Sequence, residues 1–480
     1  MLYAEEDWRG NHAWARYKRE LEAKGEKLDW KDCVPAPVPD DQNFAMTPFL
    51  APLFQFNPKP LQPGQSIWRD TNGNNRIHEF IDTIKTPDHP GSWTERGMTD
   101  LSAWAAALDQ QTNAAGVSGS KPRTRAEAAA EMLKALQKDQ PVFEELRQAS
   151  LRPSSRFNLE YDADYIVSVI LPHLAILKGV ERAFQARALA ELEAGQTNEA
   201  LADTKMCLYL PETIKDEPFL ISKLVQIAIV QLSLQPVWEG FARHKWSDVQ
   251  LERLDQRLAK IKLLTDDAFR GERAFSLHMI DQLRALPKQD QFDDPDIKLQ
   301  PHLLSFTPGG WMSLNQLEIA RLYQELIFPS IDASNQRVYP ARVITNDAIV
   351  NQKLQGDFSP LKVIAKMLYP AVAKSAVKFA FAQTCVNEAR VACGLERYWV
   401  AHGQYPETLD AISPQFMRSI PHDVIGGEAL KYHRTSDGRF ILYSVGWNEK
   451  DDGGVIGMSR GTTPSIDIAQ GDWVWQYPAK

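Results

Sequence analysis

AHGQYPETLDAI (residues 401–412), followed by KYHRTSDGRFILYSVGWNEKDDGG (residues 431–454), carries most of the fold information in this chain. Upstream of it, Phe379, Ala382, Val386, Ala389, Ala392, Leu395 and Trp399 recur at three- and four-residue steps. Lys378, Asn387, Glu388, Arg390, Glu396 and Arg397 lie between them, which is the pattern of an amphipathic helix. Gly403 reaches the left-handed conformation of a helix terminus at little cost and Pro406 cannot continue the ladder, so the helix should end near His402. A short helical turn is expected from Pro406-Glu407-Thr408-Leu409-Asp410. Lys431-Tyr432-His433-Arg434 and Arg439-Phe440-Ile441-Leu442-Tyr443-Ser444 have β-type composition on either side of Ser436-Asp437-Gly438. The prediction for residues 371–480 is one long helix packed on a short antiparallel sheet.

Leu395, Tyr398, Gly403, Tyr405, Pro406 and Leu409, with the later Tyr443-Ser444-Val445-Gly446, form a pattern that resembles the globular head of the major type II secretion pseudopilins. It is also similar to pseudopilin-like heads of larger bacterial envelope proteins. Pro421 and Asp423 match parts of that family's proline-aspartate-proline-tryptophan-glycine turn, whose remainder is replaced here. The family's N-terminal processing motif and continuous hydrophobic helix are absent, so filament assembly by that route is not expected. The resemblance implies a calcium-binding, glycine-rich acidic loop. Asn448, Asp451, Asp452, Asp467 and Asp472, near Gly453-Gly454, are the candidate ligands, because calcium takes six to eight oxygens from a flexible loop. The alternative is a solvated acidic turn, since Asp and Asn are ordinary turn formers.

The chain has 480 residues, 44% of them hydrophobic, enough for two or three domains. Its formal net charge is −8, which argues against nucleic acid or an anionic membrane as the main partner. No stretch holds the roughly eighteen uninterrupted apolar residues of a spanning helix, and the first residues lack the charged-then-apolar pattern of a signal peptide. The start at Met1-Leu2-Tyr3, running straight into Glu5-Glu6-Asp7-Trp8, resembles the remainder of a longer envelope protein whose membrane anchor lies just upstream. The expected setting is therefore the extracytoplasmic face of the bacterial envelope, with the cytoplasm as the alternative. Cys33, Cys207, Cys385 and Cys393 contain no C-x-x-C pair. Cys385 and Cys393 share a helix and lie about 12 Å apart, beyond disulfide reach.

Elsewhere the expected class is α+β, predominantly α-helical. An amphipathic helix with Trp8, Trp14, Tyr17 and Leu21 on one stripe falls within residues 1–32. Residues 33–123 hold a proline-rich strap and an aromatic-rich subdomain. Phe44, Phe49, Leu50, Leu53 and Phe54 mark the strap as one that lies against the body, and Trp93 and Trp104 pack near Leu101 and Leu108. Asp70-Thr71-Asn72-Gly73-Asn74 imitates half a calcium loop, but Ile81 stands at its twelfth position, so an Asn-Gly turn is expected. Residues 115–121 should form an exposed loop. Residues 124–290 read as a helical-hairpin bundle, and residues 183–210 resemble a single tetratricopeptide-type hairpin without copies at the thirty-four-residue period. Residues 291–370 complete the body through a polar connection, Pro308-Gly309-Gly310-Trp311, and a helix near residues 314–326.

No H-E-x-x-H, G-x-S-x-G, phosphate-cradling or dinucleotide motif occurs. His173 and His278 sit in helical contexts suited to packing. The reading is an interaction or scaffold protein with an unidentified protein partner and calcium as the one candidate cofactor. The alternative is a hydrolase whose cleft lies between the helical bundle and the N-terminal region.

Overall fold

The computed structural model describes residues 2–478 apart from 58–61, 63, 85–86, 88–89, 113–122, 164, 286–308, 355–362 and 462–464. The expected loop at residues 115–121 and the connection bearing Asp293, Asp294, Asp296 and His302 lie outside the described residues. The fold is predominantly helical with small antiparallel sheets, as the sequence predicts.

The helices are α1 (Leu2–Ala23), α2 (Thr71–Asp82), α3 (Leu101–Thr112), α4 (Arg125–Leu136), α5 (Gln140–Ala149), α6 (Pro172–Glu193) and α7 (Thr197–Cys207). They continue with α8 (Leu220–Ala242), α9 (Asp248–Leu258), α10 (Asp266–Ala285), α11 (Gly309–Arg321), α12 (Pro340–Leu354) and α13 (Val363–His402). Two short strands, β1 (Ile331–Asp332) and β2 (Arg337–Val338), pair between α11 and α12. After α13 come β3 (Lys431–Arg434), β4 (Phe440–Ser444), β5 (Ile456–Met458), β6 (Ile466–Gly471) and β7 (Trp473–Gln476). One antiparallel sheet has the order β3-β4-β7, with Tyr432 opposite Leu442 and Leu442 opposite Trp475; β5 and β6 form a second pair.

Two expectations need correction. Asp70 does not open an isolated Asn-Gly turn; it caps α2, its carboxylate accepting from the Gly73 amide at 2.8 Å. Ile77 and Phe80 then drop into the core, and that burial outweighs the poor helix propensity of Asn and Gly. Likewise Gly309 and Gly310 begin α11 rather than lie in a loop. A Cβ on Gly10 would stand 2.2 Å from the Gly310 carbonyl oxygen and one on Gly310 would stand 2.2 Å from that of Glu6, so these glycines let α1 and α11 touch backbone to backbone. Asp7 Oδ1 accepts from the Gly310 amide at 2.7 Å and supplies the missing cap.

The proline-rich strap is fastened, not free. Trp30 Nε1 donates to Tyr161 O at 2.8 Å, and Asn43 both donates to Arg156 O at 2.7 Å and accepts from Arg156 N at 2.8 Å. Phe44, Phe49, Leu50, Leu53 and Phe54 are buried in one core with α2 to α7. A second core joins α8, α9, α10 and α11 to α13 and its sheet. Among the described residues α8 is the one helix long and apolar enough to cross a membrane, and about two-thirds of its apolar window is buried inside the protein. Pro236 sits inside α8 and cannot donate to the Leu232 carbonyl, whose hydrogen bond comes instead from Gln185 Nε2 on α6 at 2.7 Å.

Candidate functional site

The acidic turn after β4 is built around Asp472. Gly453 and Gly454 both adopt positive φ, 75° and 82°, which bends the chain back so that two backbone amides face this buried carboxylate. Asp472 Oδ1 accepts from Asp452 N at 3.2 Å and Oδ2 from Gly454 N at 2.6 Å. Burial pushes its carboxyl up, the amide bonds oppose that, and neighbouring Asp452 and Asp451 push it further up. Asp451 Oδ1 accepts from Tyr443 OH at 3.0 Å and from Gly453 N at 3.1 Å. Asp452 Oδ2 accepts from Asn448 Nδ2 at 2.8 Å. Asp467 lies on β6, where Oδ1 accepts from Ala469 N at 3.0 Å.

Asn448, Asp451 and Asp452 therefore share one turn, Asp472 reaches it from between β6 and β7, and Asp467 takes no part in that hydrogen-bonded network. Every carboxylate has at least one oxygen engaged by a protein donor, and Asp472 has both. No group of three or more His, Cys, Asp or Glu among the described residues is placed to hold a metal. Arranged in this way, the donor set does not fit the six to eight oxygens calcium requires unless the turn gives up its own hydrogen bonds. The melting temperature of metal-stripped protein is accordingly expected to be unchanged by millimolar calcium. A rise that disappears in Asp451→Ala/Asp452→Ala would establish a metal site here, because a ligand of the folded state must raise the melting temperature.

Behind the turn lies a cavity of about 10 Å³ lined in part by Cys385, Glu388, Asp467 and Asp472. Glu388, buried on α13, has its carboxyl driven well above the carboxylate range, first by burial and then by Asp423. Asp423 binds Ile425 N at 2.9 Å, Ser444 Oγ at 2.8 Å and Val445 N at 3.2 Å, pinning the loop before β3 to the end of β4; burial nonetheless pushes it up to about 6. An uncharged Glu388 is close to an isostere of glutamine. Glu388→Gln is expected to stay within about 1 kcal/mol of the parent at neutral pH. The parent's folded state holds a proton that the unfolded chain releases near the ordinary glutamate value, so its stability falls as pH rises above that value and the variant's falls less. Urea titrations at two pH values measure both effects.

The pattern from Leu395 to Leu409 has a clear physical content. Gly403, at φ 72°, ends α13 with its amide on Trp399 O at 2.7 Å. Tyr405 OH donates to Glu396 Oε1, which also accepts from Tyr477 OH at 2.8 Å. His244 Nδ1, just past the end of α8, lies 2.9 Å from Glu396 Oε2, and its ring stacks on Trp399 at 3.7 Å. One buried carboxylate thus ties together α13, the Tyr-Pro turn, the chain after β7 and the helical body. Burial, reinforced by that carboxylate, holds the phenols of Tyr405 and Tyr477 well above their ordinary range.

Sequence reasoning singled out neither Glu396 nor Glu388 as a site residue. Both lie on the polar positions of the α13 pattern, where a solvated face is the default. Their signal was the phase of the pattern, since both fall against segments that pack on the helix. Comparison with protein-family models, with curated proteins and with solved structures finds no match.

Proposed function

We propose that this is a bacterial envelope-associated interaction protein, a helical-hairpin body carrying a pseudopilin-like α+β module as an integral wall. The observation that carries this reading is the Glu396 cluster, which bonds the module to the body through His244. Arg390 with Asp255 at 2.8 Å and Arg397 with Asp248 at 2.7 Å add two further ties between α13 and α9. On this reading α13 is committed to packing on α8 and α9, and the module shapes a surface for a partner. The test is affinity capture from envelope extracts followed by reconstitution from purified components. A protein that rebinds with fixed stoichiometry in sedimentation supports the reading; failure to reconstitute any captured protein counts against it.

The hydrolase alternative has one observation in its favour. A cleft of about 360 Å³ lies between residues 90–104 and the helices α6 and α8, the place where a catalytic cleft was expected. Among the described residues its lining includes Lys178, Arg182 and three glutamines but no Asp, Glu or His. That set suits binding better than hydrolysis, because among the described residues neither a general base nor a carboxylate nucleophile lines the space.

A further inference from the structure

The cleft between the N-terminal subdomain and the bundle presents two cations and, among the described residues, no carboxylate. Lys178 and Arg182 sit one turn apart on α6, about 6 Å along the helix axis, and both line the cleft. Among the described residues neither has a carboxylate within ion-pair distance. Several other partly covered arginines are matched by carboxylates, Arg125 with Glu193 and Glu239, Arg257 with Glu212 and Arg390 with Asp255, while Arg152 and Arg156 donate to backbone carbonyls. Glu181, between the two cations in sequence, is fully buried toward Ser233, and burial drives its carboxyl well up, so it supplies little compensating charge. Gln231 also lines the cleft, and its side-chain amide lies against the Cys385 thiol behind it.

The opposite wall is held in place. Trp93 N donates to Gln235 Oε1 at 2.6 Å and Trp93 Nε1 to Gln231 O at 3.0 Å, while Ser92 and Gly97 exchange backbone hydrogen bonds of 3.1 and 2.8 Å. The cleft is therefore preformed. Its volume falls in the range of small-molecule sites, roughly 300–1,000 Å³. Apolar lining comes from Ala228 and Leu232 on α8 and from Trp93 and Trp104.

We propose that this cleft binds a small amphipathic anion, its carboxylate or phosphate group held by Lys178 and Arg182 and its apolar part lying over Ala228 and Leu232 beside Trp93 and Trp104. Two cations at helical spacing match the oxygens of such a head group, and the bound anion supplies the charge the cleft lacks in a chain of net charge −8. The site is independent of the partner-binding reading and stands whether or not a protein partner exists.

The test is calorimetry on the full chain with 1-naphthylacetate, 1-naphthyl phosphate and the uncharged 2-(1-naphthyl)ethanol. At least one anion should bind at least tenfold more tightly than the alcohol, and added salt should erode that advantage. The tighter of the two anions assigns the head group. Lys178→Gln/Arg182→Gln should weaken the anion at least tenfold and leave the alcohol unchanged. Equal affinity for alcohol and anions, no binding of either anion, or anion binding that survives the double substitution would each overturn the proposal. Should the double variant not fold, the comparison of anions with alcohol on the parent protein decides by itself.

Discussion

A chain ending before residue 375 is expected to lose the cooperative unfolding of α8 to α11. Those helices do not close a core without α13 and its sheet. Phe379, Ala382, Val386, Ala389, Leu395, Leu442, Trp473 and Trp475 are all buried in the same cluster as Val230, Leu234, Trp238, Phe241 and Leu254. Trp475 lies 5.1 Å from Trp93 and 6.1 Å from Phe241 between ring centroids, and Trp238 Nε1 donates to Gln476 O at 3.0 Å. Each large apolar side chain that loses its cover forfeits about 1.5–3 kcal/mol. Half a dozen of them forfeit about 9–18 kcal/mol, as much as the roughly 5–15 kcal/mol that holds a typical domain together. Truncation also strips His244 of Glu396 and leaves the Trp238 indole without an acceptor. Urea titration followed by tryptophan fluorescence and far-ultraviolet circular dichroism should show a shallow, early transition. A sharp transition with a slope appropriate to the shortened chain would mean that the module is an appendage, and the fused-wall reading would fail.

How far this arrangement could be read in advance follows from the range of the interactions. Local patterns were legible. The apolar stripe from Phe379 to Trp399 gave the helix, Gly403 its end, and the alternation around Phe440 and Leu442 the strand. The strap was legible through its aromatics, because a solvated tether does not carry Phe44, Phe49 and Phe54. What remained hidden depends on partners far apart in the chain. Nothing near His244 announces Glu396, 152 residues away, and nothing near Gly310 announces Gly10. Propensity misled at Asn72-Gly73 and Gly309-Gly310 because packing decided those helices, with Phe80 in one case and a glycine-to-glycine backbone contact in the other. The cleft cations were illegible for a different reason. Lys178 and Arg182 on a helix look like any solvated face until the 90–94 segment is seen to cover them.

Asp203→Ala is expected to destabilise the protein by about 3–5 kcal/mol, the cost of stranding a buried charge by deleting its partner. Asp203 is fully buried at the contact of α6 with α7, and its carboxylate accepts from Arg187 Nε at 2.5 Å, Arg187 Nη2 at 2.8 Å and Arg147 Nε at 2.9 Å. The Arg187 guanidinium also lies 3.6 Å from the centre of the Phe143 ring, so it cannot reach water without unpacking α5. Glu191, 3.8 Å from Arg187, is the acidic group among the described residues positioned to take over. In the parent its carboxyl is pushed up to about 9, first by burial and then by the charge on Asp203. Between the ordinary glutamate value and about pH 9 the folded state therefore carries a proton that the unfolded chain has released, and stability falls as pH rises through that window. Removing Asp203 lowers the pull on that proton and lets Glu191 ionise beside Arg187. The loss should consequently be smaller at pH 9 than at pH 6, and the pH slope shallower than the parent's. Asp203→Ala/Glu191→Gln closes this escape and should restore the full penalty at both pH values. Chemical denaturation of the three proteins at pH 6 and pH 9 separates these outcomes. A loss below 1 kcal/mol for the double variant would mean that Arg187 finds water, and that the α6–α7 contact is held by its small apolar residues, Ala188 and Ala200 among them, rather than by charge.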